Sequence, residues 1–272
     1  MAVAFDAKMA GGNGAGGTFQ QSSAATSISS AGMTIGGSGS CLIAFLHIQA
    51  AATNISMTWN GVSMSAHGAT TDVNTHTETV AMFALPNPAT GNKTLAGSWT
   101  TAGDAYMSCV SFSGTDTVTG VKTANDITTT RTQTLAVVTD ATGATVVAFT
   151  GDSATPTVDQ TQIWSGAPLG PSGGASYAIG GTGTNTHTFT GGGDVTEALV
   201  GVHVIVPQGA IPSSGAYQQE QSTTDRYLLE DGSGVYLIEP WGSVSSGIFP
   251  PWWYGDLSGI GSPGRFFKDR LN

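Results

Sequence analysis

No stretch of a dozen residues in this chain carries apolar side chains at helical spacing without a glycine or a β-branched run breaking it, so helices have no continuous face with which to build a core. What recurs instead is short apolar or alternating runs. They fall at residues 2–6, 27–35, 41–49, 55–60, 62–67, 78–86, 93–99, 105–114, 132–139, 144–151, 162–166, 175–180, 186–191 and 198–207, each closed by Gly, Pro, Asn or Asp. Length and punctuation of this kind are those of strands. Threonine, abundant between residues 50 and 190, suits the wet face of a half-buried strand. Sheets with one wet and one apolar face must stack to cover the apolar sides. The expectation is an all-β chain: an antiparallel, jelly-roll-like β-sandwich of about ten to fourteen strands over residues 1–207, then an extended C-terminal arm.

Local signals agree with strands. Asn60-Gly61 separates TW from VSM and tolerates the positive φ of a tight hairpin turn. NPATGNK, residues 87–93, is a longer polar turn. Cys41 and Cys109 each sit in an apolar run and read as small buried hydrophobes, with a disulfide between them left open. The first residues lack the apolar core of a signal peptide, and no window approaches the ~18 apolar residues of a membrane span; the expectation is synthesis in a cytoplasm with no membrane partner. The net charge of −10, with only 8 Lys and Arg, argues against nucleic acid, because phosphate backbones demand clustered cations.

Motifs that suggest catalysis lack their partners. GNGAGG, residues 12–17, matches the dinucleotide fingerprint, which needs a strand before it and a helix after it; TFQQSSAATSIS follows, and the segment reads as a flexible Gly-rich loop. FTGDSAT, residues 149–155, resembles the GDS block of a serine esterase family with Ser153 as nucleophile, but the Asp and His block that would activate it is missing. His47, His67, His76, His187 and His203 show no metal-ligand spacing. Of these, His47 and His203 lie in apolar strands and read as hydrogen-bonded core or interface histidines. Asp72, Glu78, Asp152 and Asp159 are scattered carboxylates that could line a calcium site on sandwich loops, without an EF-hand or repeat to support it. Few strands place an acid beside a Trp as a glycosidase cleft would. The expectation is no enzyme, no cofactor and no metal.

Composition shifts after Pro207. QGAIPSSGAYQQEQSTTD is a polar linker, and 208–272 reads as linker plus docking arm with a hairpin at 225–240. DRYLLEDGSGVYLIEP is nearly its own mirror image. Pairing Glu230 with Val235 sets Leu229 opposite Tyr236, Leu228 opposite Leu237, Tyr227 opposite Ile238 and Arg226 opposite Glu239, around a Gly-Ser turn. Both faces are then apolar, and an isolated two-stranded hairpin is at best marginally stable. It either extends its own domain or docks on another chain. The aromatic and basic segments that follow, with Trp252, Trp253, Arg265, Phe266, Phe267, Lys268 and Arg270, favour docking together with Tyr227, Leu229, Tyr236 and Ile238, since such residues anchor interfaces.

RYLLEDGSGVYLIE is similar to segments near the C-termini of tailed-bacteriophage virion proteins. AVAFDA and ISMTWNGVSM also look like β-sandwich proteins encoded beside phage structural genes. The resemblance covers these motifs and the strand pattern, and the family offers no catalytic residues to carry over. It implies a virion location and a structural role as a capsid decoration or minor capsid protein, with a tail fibre or tail-tip protein as the nearest variant. The implied partners are other virion proteins, such as the major capsid protein or tail and portal proteins, and further copies of the chain. A carbohydrate-binding module is a third reading, with Trp59, Trp99 or Trp164 as sugar platforms and a surface glycan as partner.

Overall fold

A computed structural model describes residues 2–31, 33–36, 40–72, 77–115, 117–126, 132–152, 157–166, 171–190, 197–205, 218–220, 226–230 and 235–238. The chain divides into two compact units, Met1–Gln208 and Gly209–Asn272. The described residues are strands and connections, with a single 3-10 turn at Ala15–Gly17.

In the first unit, β1 (Ala4–Lys8) leads to β2 (Gln20–Ser30), β3 (Thr34–Ile35), β4 (Cys41–Ile48), β5 (Ser56–Trp59), β6 (Val62–Ser63), β7 (Ser65–Asp72), β8 (Glu78–Pro86), β9 (Gly91–Asn92) and β10 (Leu95–Ser113). The second half supplies β11 (Thr117–Asp126), β12 (Thr132–Thr139), β13 (Ala144–Asp152), β14 (Thr157–Val158), β15 (Thr161–Gly166), β16 (Pro171–Ile179), β17 (Gly183–Thr190) and β18 (Glu197–Ile205). All pairings are antiparallel. The first sheet runs β6-β5-β10-β4-β8-β7, with β1 and β2 also on β10; the second runs β11-β18-β13-β16-β15, and the third β12-β17-β14.

Three apolar cores hold these sheets. Ile43, Phe45, Val80, Met82, Val110 and Phe112 of the first sheet meet Val146, Trp164, Val200 and Val202 of the second. Leu42, Leu46, Met57, Trp59, Leu95, Trp99 and Met107 form a core on the other face of β4 and β10. Leu135, Val137 and Phe189 of the third sheet cover Val147, Phe149 and Leu199 of the second. Inner strands are therefore buried on both faces: every residue of β4 is buried. This departs from the expectation of one wet face per sheet. CLIAFLHI is a continuous apolar run rather than an alternating one, and such runs belong to strands covered on both sides. Each large side chain so buried contributes roughly 1.5–3 kcal/mol.

The curl of the first sheet comes from β10. The runs expected at 93–99 and 105–114 are one strand, whose start pairs with β5 (Leu95↔Trp59) and whose end pairs with β4 (Ala105↔Ile48 to Phe112↔Cys41). Its register against β2 shifts between Ser98 and Gly103 and again before Ala105, and bulges of this kind bend and twist a strand. Gly103 allows the bend, since a Cβ there would lie 2.6 Å from the Gln49 carbonyl oxygen.

Other turns follow their residues. Asn60 and Gly61 have φ of 51° and 79°, and they close the two-residue hairpin between β5 and β6 with Trp59 paired to Val62. Residues 12–17 form an ordered loop rather than a flexible one. Gly12 and Gly17 are joined by a backbone hydrogen bond, Gly14 N donates to Phe19 O, and Asn13 bonds the backbone of Gln21 in both directions. A Cβ on Gly14 would fall 2.2 Å from the buried Phe19 ring, so packing accounts for that glycine. Strand β2, not a helix, follows the loop, which removes the dinucleotide reading. Cys41 and Cys109 lie in different cores on opposite faces of the first sheet, and no disulfide joins them.

The second unit contains a three-stranded sheet of β19 (Gln218–Glu220), β20 (Arg226–Glu230) and β21 (Val235–Ile238), in that order. Residues 218–220 were expected to be linker; they pair with β20 instead. That third strand meets the minimum for a sheet of independent stability.

Candidate functional site

Several ionisable and polar groups lie inside the sandwich. THTFT in β17 alternates, and the parity that buries Phe189 also buries His187, at 0% exposure. Its Nδ1 lies 2.8 Å from Ser176 Oγ and its Nε2 2.9 Å from Thr145 Oγ1. Asn185 Nδ2 extends the network by donating to Thr145 Oγ1 at 3.0 Å and to the Gly180 carbonyl at 2.9 Å.

A serine against an imidazole is the start of a nucleophilic pair. No motif along the chain signals this contact, because Ser176 and His187 meet only through the packing of the second sheet on the third. The arrangement is nonetheless structural. A hydroxyl occupies each ring nitrogen, so no carboxylate orients the base, and burial excludes substrate. Burial pushes the His187 pKa down to about 4, against the opposing charge of Asp159, so the imidazole is neutral and a weak base at neutral pH.

His47 is also buried, in the core between the first two sheets, with its ring edge-on to Trp164 at 4.9 Å. It is the core histidine expected, though neither ring nitrogen has a well-formed hydrogen bond. Desolvation pushes its pKa down to about 3, with the Phe149 backbone opposing. With little nearby to offset a charge, the neutral ring is the cheaper form of this buried histidine. His203 is different: its Nε2 lies 3.4 Å from Asp140 Oδ2. Burial lowers its pKa and Asp140 raises it. Asp140 in turn accepts from Thr142 Oγ1 and N and from Gly143 N, at 2.7–2.8 Å; these bonds, those of Thr142 foremost, hold its pKa below the usual carboxylate range. It caps the turn before β13. His67 is partly buried, and its pKa is lowered by that burial. His76 lies outside the described residues.

The two most depressed histidines set an acid limit. Both folded values lie below the 6.5 of an exposed imidazole, so the unfolded chain takes up protons first as pH falls. Their contribution is complete above pH 6.5 and is lost progressively as pH falls toward 4 and 3, by about 1.4 kcal/mol per pH unit for each group. Urea unfolding at pH 5.5 should therefore show about 2.5–3 kcal/mol less stability than at pH 7.5. His47→Leu should flatten that slope by about half.

Other sequence candidates separate in space. Glu78 is buried and accepts from Thr150 Oγ1 at 3.0 Å, and Asp159 Oδ1 accepts from Thr188 N at 2.7 Å, so each serves the fold. The side chains of Asp72 and Asp152, and the whole of Ser153, lie outside the described residues. Among the described residues no group of three or more His, Cys, Asp or Glu could hold a metal ion. Trp59, Trp99 and Trp164 are 0%, 5% and 0% exposed, so none offers a face to a sugar.

In the second unit the pairing of β20 with β21 is the one that the near-palindrome predicts: Tyr227↔Ile238, Leu228↔Leu237, Leu229↔Tyr236 and Glu230↔Val235. Alternation assigns Tyr227, Leu229, Tyr236 and Ile238 to one face of the sheet, and Gln219 of β19 joins them opposite Tyr227. Glu239, Trp252, Trp253, Arg265, Phe266, Phe267, Lys268 and Arg270 lie outside the described residues. No family model, curated protein or solved structure matches the chain. Among the described residues no helix is long and apolar enough to cross a membrane.

Proposed function

We propose that the chain is a structural component of a bacteriophage virion, a capsid decoration or minor capsid protein that docks on other virion proteins through its C-terminal arm. The observation that carries the reading is the C-terminal sheet. Its register gathers Tyr227, Leu229, Tyr236 and Ile238 at positions of one parity, in the segment that resembles those of tailed-phage virion proteins, and within a compact unit distinct from residues 1–208. Four large apolar residues on one face of so small a sheet call for a cover, and interfaces are rich in such residues. The burial of the His187 network in the first unit supports a structural role. The Ser176–His187 pair is sealed in, and the three tryptophans are spent on packing.

Removal of residues 209–272 tests the reading. The truncated chain should keep the β-rich circular dichroism and the unfolding midpoint of the sandwich, yet no longer join particles assembled without the native protein. Wild-type occupancy by the truncated chain would show that the sandwich docks by itself and would end the proposal.

A further inference from the structure

The region where β2 and β5 flank the start of β10 has an unusual outer face. Parity sends Ile28, Met57, Trp59, Leu95 and Trp99 into the second core. It leaves Ser27, Ser29, Ser56, Thr58, Ala96 and Ser98 on the opposite side. These side chains are short, so the sheet surface there is a depression rather than a ridge.

The register shift of β10 beyond Ser98 carries the first half of β2 to a different level, and Gln20, Gln21 and Ser22 wall one side. The result is an open trough of about 450 Å³, within the size range of small-molecule sites.

Its chemistry is selective. In a chain of net charge −10, every residue lining the trough is uncharged. A phosphate, carboxylate or ammonium ligand needs a counter-charge or an array of donors of one kind, and none is offered. Hydroxyls and amides, by contrast, both donate and accept. Ala96 and the side-chain-free backbone at Gly97 add an apolar floor among them. Gln21 Oε1 is buried without a hydrogen-bond partner, and an acceptor left so costs about 1–3 kcal/mol until a donor reaches it. Ser56 Oγ and Ser98 Oγ bond each other at 2.9 Å, which orients a hydroxyl pair at the base of the trough.

We propose that this trough binds a neutral, polyhydroxylated ligand, a short stretch of an uncharged glycan. Ring hydroxyls would pair with the serines, Thr58 and Gln21, and the C–H faces of the sugar would rest on Ala96 and the bare backbone at Gly97. The site is distinct from the C-terminal sheet and does not depend on how that sheet is used. With no aromatic platform in the lining, one trough binds one glycan with an affinity of about millimolar.

Titration of the full-length, isotope-labelled chain with maltohexaose and with chitohexaose, followed by amide chemical shifts, tests this. Hexagalacturonate serves as the anionic probe. At least one neutral probe should move the amides of Ser27–Ser29 and Ala96–Ser98, while the anionic probe leaves them in place. Ser29→Trp, at an exposed position, fills the trough and should weaken binding at least tenfold with the rest of the spectrum unchanged; Gln21→Leu should weaken it several-fold. Absence of shifts with both neutral probes, equal binding of the anionic probe, or full binding by the Ser29→Trp chain would each overturn the assignment.

Discussion

Replacing Trp164 with alanine is expected to cost about 3–5 kcal/mol of stability, the largest loss of any single truncation in the sandwich. The indole is fully buried and lies 4.9 Å from the rings of both Phe19 and His47, and 5.8 Å from that of Tyr106. It thereby ties β15, at the edge of the second sheet, to the loop before β2 and to β4 and β10 of the first. Gly173 on the neighbouring strand makes room for it, since a Cβ there would sit 2.7 Å from the indole ring. With glycine on that side no side chain can swing into the space, so the cavity stays open and the cost falls at the upper end of its range. Trp164→Phe separates volume from polarity. The indole N–H has no acceptor, so losing it removes a buried unsatisfied donor, and the smaller ring should cost less than about 1.5 kcal/mol. Urea unfolding of the three proteins measures both values; a loss below about 1 kcal/mol in the alanine variant would show that the two sheets close over the gap.

The second large effect is expected from Leu229→Asp combined with Tyr236→Asp. These residues are directly opposite each other in the register of β20 and β21, so the double variant places two like charges across one face, which is unfavourable. If that face docks on a virion partner, two desolvated carboxylates also remove the contact itself. Particle occupancy should fall at least tenfold while the unfolding of residues 1–208 is unchanged. Leu228→Asp with Leu237→Asp burdens the opposite face with the same repulsion, and the difference between the two variants isolates the docking face. Wild-type occupancy by the first variant would make the hairpin a cover for its own chain.

Strand identity was legible wherever a run was bounded by punctuation. ETVAMFALP and TQTLAVVT match β8 and β12 at both ends, and the near-palindrome fixed a register because only one pairing superposes its two halves. Strands made of small polar residues were not legible. QQSSAATS in β2 and TVTGVKTAND in β11 have too few apolar residues to show a period, and their place in a sheet comes from neighbours such as β10 and β18. The same cause hid the third strand of the C-terminal sheet and the polar trough, one wall of which is β2. Long-range side-chain partners were hidden for another reason. Thr145, Ser176 and His187 carry no shared motif, and what brings them together is the stacking of one sheet on another, a relation that spacing along the chain does not encode.

The placement of the two cysteines gives the molecule a pair of native reporters. Cys41 faces the core between the first and second sheets, and Cys109 faces the core enclosed by the curl of the first. Burial raises the Cys109 thiol pKa, so an alkylating reagent has almost no thiolate to attack there until that core opens. Modification of each thiol therefore times the opening of its own core in one sample, with no label introduced. If β10 binds both layers into one cooperative body, the two cysteines react at a common rate. If the sheet uncurls while the layers stay together, Cys109 is lost first and Cys41 keeps its protection.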